Sequence, residues 1–437
     1  MHPCLRSLAL SLVLLSAHSV RAEEPEPRPV TSRWSVELYG YVEAAAVWDS
    51  TQGIPVVAGH PNIAKPTTFE GSGSQLQFSV QNTRFGLRIG GPELGGIATQ
   101  GLIEADFRGN QPAEVTETAL FNNPALRLRR GFVRLCRGSL GLLAGQEWAL
   151  FGFQSDFAPN IVATPSVPGQ PSSRLVQLRL SRELDWEPAS LVLALAAVRP
   201  PQSAAALPDL QAGTRLLIDG WKGWHTSGST STKHVAASLA LSGTVRKLEV
   251  PALVPNPSSS TAAVSAVGWG VSADAVLPIL PRPEDDRGNA LTAVASWITG
   301  QGISDLFTRL NGGFRFPASL PPGYPLEIER GLAWFDEAGE FKAIQWRMGR
   351  ANLQYFLPPA GQVWLSANVS SIRSPNIFQF GPRASLWDHM VWAEGALFWA
   401  PVPALRFAVA YDWYRERYGD GVVAVNDRVQ VSAWMVF

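Results

Sequence analysis

The sequence of 437 residues is poor in cysteine, in histidine and in long apolar runs, and it carries no net charge. Two cysteines are too few for a disulfide-stapled scaffold or for a metal centre built from several thiolates. No stretch reaches the roughly 20 apolar residues that a membrane-spanning helix needs. The 36 basic residues are balanced by 36 acidic ones, so we expect no nucleic-acid partner, which would need a basic patch or stripe.

The first 22 residues have the pattern of a secretory signal peptide. Arg6 precedes an apolar run over residues 8–17, and the small residues Val20 and Ala22 precede the expected cleavage point. A buried N-terminal helix is the alternative, but the segment "EEPEPRP" that follows would not continue one. Because Cys4 lies in this leader, we expect no disulfide in the processed chain.

After residue 33 the dominant pattern is an alternation of apolar and polar residues with a period of two, which is typical of β-strands. It is clear over residues 34–50, 101–109, 174–183, 405–414 and 425–437. One stretch changes phase: Leu76, Phe78 and Val80 share one parity, whereas Phe85 and Leu87 share the other. Since a slip of one residue moves every side chain to the opposite face, we predict a bulge or turn near Asn82–Thr83.

Such alternation occurs in soluble β-sandwiches and in outer-membrane barrels, where the apolar face meets lipid and the polar face lines a lumen. Three features favour the barrel. A secretory leader occurs without a disulfide framework, the polar faces mix Arg, Glu and Asp over many strands, and aromatic residues stand near strand ends as membrane girdles require (Trp34, Trp48, Trp413 and Phe437). A secreted soluble all-β binding protein is the alternative.

The segment "LRLRRGFVRL" (126–135) illustrates the choice. A charge at mid-bilayer costs about 2–4 kcal/mol in a barrel wall. We therefore expect Arg127 and Arg129 to face the lumen, with Leu126, Leu128 and Phe132 facing lipid. Arg130 and Arg134 have the outward parity, so either a bulge intervenes or they lie at the membrane boundary or at a subunit interface.

The fold that we predict is a transmembrane antiparallel β-barrel. At roughly 26 residues for each strand with its connection, the chain gives about sixteen strands, an even number that leaves an aqueous channel. The expected organisation is a signal peptide (1–22), a short periplasmic segment (23–33) and one barrel domain (34–437).

Several motifs, taken in order, resemble the DcaP-type porins of Gram-negative outer membranes. They are "ELYGYVEAAAVWDS" (37–50), "NTRFGLRIGGP" (82–92), "LIEADFRGN" (102–110), "LRLRRGFVRL" (126–135), "LLAGQEWALFG" (142–152) and the C-terminal segment from residue 397. The resemblance implies a homotrimeric 16-stranded porin for small, often anionic solutes such as dicarboxylates. It also implies lumen positions for Arg84, Arg127 and Arg129, and a connection over Phe151–Ser173, containing Asp156, that folds into the pore. The short N-terminal segment and Arg130, where a histidine is more usual, depart from the pattern, so the solute preference does not follow.

The function that we predict is passive diffusion of small hydrophilic, dicarboxylate-like anions across the outer membrane of a bacterium, with membrane lipid as the surrounding partner. The expected pore-lining residues are a positive wall of Arg84, Arg88, Arg108, Arg127, Arg129 and Arg179, with opposing charge from Glu104, Asp106 and Asp156. Further lumen acids should keep the anion preference modest: Glu37, Glu43, Glu183, Asp412 and Glu416. The alternative for any single arginine is a structural ion pair in the wall.

Enzymatic motifs are not found in the sequence. The four histidines outside the leader (His60, His225, His234 and His389) have no partner spacing typical of catalysis, and GxSxG, HExxH, P-loop and CxxC patterns are not present. We therefore predict no catalytic residues, no metal and no cofactor. A hydrolase carried on a barrel is the remaining alternative, because its catalytic residues need not be adjacent in sequence.

Overall fold

The computed structural model describes residues 34–52, 63–109, 125–153, 157–159, 161, 167–202, 205–254, 262–307, 310, 320–321, 324, 328–329 and 331–437. The expected signal peptide and Asp156 lie outside these residues. Nearly all regular structure in the described part of the chain is β-strand. The strands are β1 (Ser35–Asp49), β2 (Gln75–Ser79), β3 (Arg84–Gly90), β4 (Ala98–Asp106), β5 (Arg127–Arg137), β6 (Leu140–Trp148), β7 (Arg174–Trp186), β8 (Ala189–Val198), β9 (Asp209–Ser227), β10 (Ser231–Pro251), β11 (Ala263–Leu280), β12 (Leu291–Gln301), β13 (Ala333–Phe335), β14 (Phe341–Ala343), β15 (Gln345–Phe356), β16 (Val363–Arg373), β17 (Trp387–Val402), β18 (Leu405–Tyr418) and β19 (Val423–Val436).

Helical structure in the described chain is limited to α1 (Phe69–Ser72) and to single 3₁₀ turns at Ser304–Leu306, Ile377–Gln379 and Arg383–Ser385. None of the described helices has the length and apolar character needed to cross a membrane.

Sixteen of the strands form a closed antiparallel ring. Each pairs with the next along the chain, and β19 closes the ring on β1 with a register from Tyr41↔Val436 to Asp49↔Arg428. The strand β2 pairs with β1 beyond the start of β3 and is not counted among the sixteen, whereas β13 and β14 form a separate hairpin in the connection between β12 and β15. The predicted sixteen-stranded barrel is confirmed.

The phase change predicted near Asn82 is a break between two strands. The strand β2 ends at Ser79 and β3 begins at Arg84, and both pair with β1 along one line. Asn82 donates a hydrogen bond to the Glu43 carboxylate, and the Thr83 hydroxyl accepts one from the Glu43 amide at 3.1 Å. These bonds anchor the turn, so that Phe78 and Phe85 both face outward although their parities differ.

The outer face of the barrel is apolar. Along β18, Phe407, Val409 and Tyr411 are 39–51% exposed, while the intervening Ala408, Ala410 and Asp412 are buried inside. Tryptophans extend outward at both ends of the barrel, as predicted for girdles, among them Trp34, Trp48, Trp269, Trp297 and Trp399. Large exposed apolar side chains on every side exclude the soluble sandwich, because such a surface needs lipid around it.

The packed core lies inside the barrel, against one wall. The described residues between β12 and β15 pack inside the barrel, with Trp334 and Phe335 against the inner face of β15 to β18, where Trp346 and Trp392 are buried. Long connections lie at this end of the barrel, called here the loop end. Short turns and both strand termini (Ser35 and Val436) lie at the other, called the turn end. The filling of one side leaves the open part of the lumen along the other, beside β3 to β9.

Cys136 is buried on the inner face of β5. The expectation of no disulfide concerns the processed chain, without residues 1–22, and it stays a prediction.

Candidate functional site

A β-bulge in β5 determines which arginines face the lumen. Arg127 pairs with Asp106 and Leu128 with Ala105, but the next partner, Glu104, lies opposite Arg130, so that Arg129 is the extra residue. Leu126 and Leu128 are 62% and 53% exposed on the lipid side, as predicted. Arg127 and Arg129 extend inward, also as predicted.

After the bulge the parity of β5 is reversed. Arg130, Phe132 and Arg134 line the lumen, and Val133 and Leu135 face lipid. Of the alternatives for Arg130 and Arg134, the bulge is the correct one. The expectation that Phe132 faces lipid is wrong, because it continued the parity of Leu128 through the bulge.

Glu104 and Asp106 lie within the arginine wall and do not face it across the lumen. Arg127 Nε and Nη2 donate to the Asp106 carboxylate at 3.0 and 2.7 Å. Arg129 Nε donates to Glu104 Oε1 at 2.9 Å, and its Nη1 donates to Asp106 Oδ2 at 2.8 Å. Arg130 forms a further pair with Glu147, with Nε 2.8 Å from Oε1. This buried network of ion pairs holds β4, β5 and β6 together and fixes the guanidinium groups.

The other predicted arginines extend the wall on both sides of this network. Arg84 lies 5.2 Å from the Tyr41 ring centroid, and Arg88 Nη1 is 2.7 Å from Glu37 Oε1. Arg108 is buried just beyond the end of β4 and also borders the lumen. Arg179 donates to Gln177 Oε1 at 2.9 Å and to the Trp148 carbonyl at 2.5 Å. Every predicted pore arginine therefore borders the same cavity.

The sequence reasoning missed several basic residues of this wall. Arg174 lies 4.9 Å from the Trp148 ring centroid, and Arg215 lies 5.2 Å from that of Phe153. Lys233 lies where β10 enters the lumen. Arg215 has the inward parity of β9, and that parity was the available signal. Arg174, at the start of β7, shares the parity of the outward Val176 and Leu178, so alternation gave no signal for it.

The wall borders a cavity of about 1140 Å³. Among the described residues that line it, eleven are basic and three are acidic, so the surface has a large positive excess. The basic residues are Arg84, Arg88, Arg108, Arg127, Arg129, Arg130, Arg134, Arg174, Arg179, Arg215 and Lys233, and the acidic ones are Glu37, Glu104 and Glu147.

Most of the acids expected to moderate this charge do not border the cavity. Glu43 is buried and accepts a hydrogen bond from Trp434 Nε1 at 2.9 Å. Asp412 accepts one from Trp392 Nε1 at 3.0 Å, and Glu416 accepts one from the Ile63 amide at 2.7 Å. Of the five predicted acids, only Glu37 lines the cavity. The positive excess is therefore larger than the sequence suggested.

The connection between β6 and β7 folds into the barrel, as the resemblance implied. The Phe151 amide donates to Gln211 Oε1 at 3.0 Å, and the Gly152 amide donates to Ser242 Oγ at 2.8 Å. Further along, Asn368 on the opposite wall donates to the Pro159 carbonyl at 3.3 Å. The described residues of this connection therefore contact both walls of the lumen, and Phe153, Phe157 and Gln170 border the cavity.

A second inward element was not predicted. The strand β9 pairs with β8 only up to Ile218, and β10 pairs with β11 only from Ser238, so the hairpin of residues 219–237 leaves the wall. The Thr226 amide donates to Gln354 Oε1 at 2.8 Å, and Arg406 Nη1 donates to the Ser229 carbonyl at 2.8 Å. The hairpin thus crosses the lumen near the turn end and narrows it.

The comparisons with known structures give the same architecture. The DcaP outer-membrane channel of Acinetobacter baumannii is 17% identical, with a TM-score of 0.62, over 92% of this chain and 97% of that one. OprB of Pseudomonas putida (10% identity, TM-score 0.52, 92% and 94% coverage) and an anion-selective porin from Comamonas acidovorans (9%, 0.50, 92% and 100%) are also similar. No protein-family model and no curated protein matches the sequence.

The chain has the fold of the DcaP outer-membrane channel. At these identities the likeness concerns the fold, and the resemblance noted from the sequence motifs is confirmed at that level. The DcaP-like barrel, closed by an even number of strands and apolar over its outer face, lies in the outer membrane of a bacterium.

Proposed function

We propose that this protein is an outer-membrane porin through which small hydrophilic anions, dicarboxylates among them, diffuse passively along the arginine wall. The observation that carries the proposal is the excess of basic over acidic side chains around the lumen cavity. The function is diffusion, so it involves no catalytic residue, metal or cofactor. The anion-selective porin from Comamonas acidovorans, which shares the fold, is consistent with this direction of selectivity.

The wall has two kinds of arginine, and we assign them different roles. Arg127, Arg129 and Arg130 are held by carboxylates, so they stabilise the wall and contribute little net charge. Arg134, Arg174 and Arg179 form no ion pair within 4 Å in the described chain, so their charge acts on the lumen. A charged wall in a low-dielectric surrounding concentrates counter-ions. Guanidinium groups stay charged at all physiological pH values and can bind a carboxylate through two hydrogen bonds.

The assembly and export of the protein complete the proposal. We propose a homotrimer, on the basis of the resemblance of the sequence motifs, and secretion by the leader of residues 1–22. Neither the oligomeric state nor the secretion route affects the selectivity proposed for one barrel, because each barrel encloses its own cavity.

The test is a planar-bilayer recording of the purified protein, with the reversal potential measured in a salt gradient. Stepwise conductance with a reversal potential on the anion side would support the proposal. A reversal potential on the cation side would be consistent with a porin, but it would refute the anion selectivity that we assign to the arginine wall. If a barrel that shows heat-dependent mobility on a gel, and is therefore folded, gave no conductance, the transport function itself would be refuted.

A further inference from the structure

Four cationic or titratable side chains form a row on the outer face of the barrel, at the loop end. The register places Arg347 opposite Arg373, Arg373 opposite His389, and His389 opposite Arg417, across β15 to β18. Arg415 lies one row lower on β18. Their neighbours along each strand are buried inside the barrel, so alternation directs the row outward toward the membrane (Trp346, Ile372, Met390 and Glu416).

Most of this charge has no partner in the protein. Arg417 is paired with Asp388, with Nε 3.0 Å from Oδ1. Arg347, Arg373 and Arg415 have no carboxylate within 4 Å among the described residues. Like charges that face each other across neighbouring strands destabilise a sheet. An anion from outside the chain would remove this repulsion.

The same four strands form an apolar groove further toward the middle of the membrane. Small side chains lie in successive rows, with Ala351 and Ala393 in one row and Ala367 and Gly395 in the next, so the surface is recessed there. Larger apolar residues flank the recess, which has a volume of about 570 Å³ (Leu353, Leu365, Leu397, Val409 and Tyr411). Arg347 and Leu353 are six residues apart, or roughly 20 Å along a strand. That distance is comparable to the length of a fatty acyl chain.

We propose that this face binds a phosphorylated glycolipid of the outer leaflet, of the lipopolysaccharide class. The arginine row would bind its phosphates, with the Ser371 hydroxyl and His389, 3.1 Å apart, as further hydrogen-bonding groups. The groove would hold an acyl chain. Long connections mark the external end of such barrels, which places the row at the level of the outer-leaflet headgroups. Charge complementarity selects an anionic lipid over a second copy of this chain as the occupant.

The experiment measures binding of lipid A that carries both phosphates to the full-length protein in detergent, by microscale thermophoresis. The test variant is Arg347→Ala with Arg373→Ala. Removing these two side chains takes no ion-pair partner from any carboxylate among the described residues. The matched control is Arg137→Ala with Arg182→Ala, which removes two exposed outward arginines at the turn end. Dephosphorylated lipid A is the second ligand, and heat-dependent gel mobility verifies that each barrel is folded.

We expect the test variant to bind lipid A about tenfold more weakly or worse, since charge-assisted hydrogen bonds to phosphate are lost. The control pair should change the affinity less than twofold, and dephosphorylated lipid should bind the wild type as weakly as lipid A binds the test variant. Equal binding by wild type and test variant would overturn the proposal, as would equal losses in both variants. Equally tight binding of lipid A and dephosphorylated lipid A to the wild type would also overturn the proposal. That comparison uses the wild-type protein alone, so it does not depend on the folding of a variant. A change in sedimentation state with unaltered lipid binding would identify a subunit interface instead.

Discussion

Replacing Arg174 and Arg179 by glutamine should reduce the anion selectivity of the pore without unfolding it. Both side chains border the lumen cavity, and neither forms an ion pair within 4 Å in the described chain. Their removal therefore leaves no buried carboxylate without its partner. Arg179 keeps hydrogen-bonding capacity as glutamine, toward Gln177 and the Trp148 carbonyl.

The size of the effect follows from Coulomb's law. At roughly 7 Å from the path of an ion in a water-filled lumen, one guanidinium changes the energy of a monovalent ion by about 0.6 kcal/mol. Screening by physiological salt reduces this to about 0.3 kcal/mol. The change has opposite signs for anions and cations. Loss of both arginines therefore alters the difference between them by about 1.2 kcal/mol, a roughly eightfold decrease in the anion-to-cation permeability ratio.

The assay is the reversal potential of single channels in a salt gradient, with wild type and variant recorded in the same lipid. The control is Arg137→Gln with Arg182→Gln, which removes the same charge from the outside of the barrel and should leave the ratio unchanged. High salt should diminish the difference between variant and wild type. If the double variant keeps the selectivity of the wild type, the unpaired arginines do not set it, and the assignment of roles within the wall is wrong.

Three further outcomes are expected. Arg129→Ala leaves Glu104 and Asp106 buried with one partner fewer, so the free energy of unfolding in urea should fall by about 3–5 kcal/mol; an unchanged midpoint would contradict this. Arg406→Ala removes two hydrogen bonds that hold the inward hairpin, to the Ser229 carbonyl and the Thr232 hydroxyl, and should raise single-channel conductance. Conductance equal to that of the wild type would contradict this role of Arg406, since other contacts would then hold the hairpin in the lumen. Gly145→Ala should lower thermal stability by about 1–3 kcal/mol, because Gly145 has a φ of 133° and a Cβ there would lie 2.3 Å from the Gly131 carbonyl; Gly349→Ala, with open space around it, should have little effect.

The barrel could be predicted because alternation is a local property of the sequence. Leu126 and Leu128 face lipid, and Arg127 and Arg129 face the lumen, as their parity requires. Even the interruption near Asn82 was visible, since the apolar parity changes between Phe78 and Phe85. Each of these features depends on residues that are close in sequence, where the alternation of apolar and polar side chains shows directly which face each side chain occupies.

The bulge at Arg129 left only an ambiguous sign in the sequence. Leu128 and Phe132 are both apolar and have the same parity, which hides the reversal. The outward parity of Arg130 and Arg134 pointed to a bulge, but a position at the membrane boundary or at a subunit interface accounted for it equally well. The inward hairpin was missed for a different reason: β9 and β10, at 19 and 21 residues, alternate like wall strands along much of their length. Their length was the available signal, because a transmembrane strand needs only about 9–11 residues.

The bulge also explains how so many arginines fit in one strand. Without the extra residue, Arg130 and Arg134 would face the membrane, at about 2–4 kcal/mol each near the bilayer centre and less toward its boundaries. The bulge disrupts the ladder locally, and one hydrogen bond contributes about 0.5–1.5 kcal/mol. Over much of the membrane depth, the free energy of exposing two arginines to lipid is therefore larger than the free energy lost with one hydrogen bond of the ladder. The same shift brings Arg130 to Glu147 and adds Arg134 to the unpaired charge of the lumen, so one inserted residue serves both the stability of the wall and its proposed selectivity.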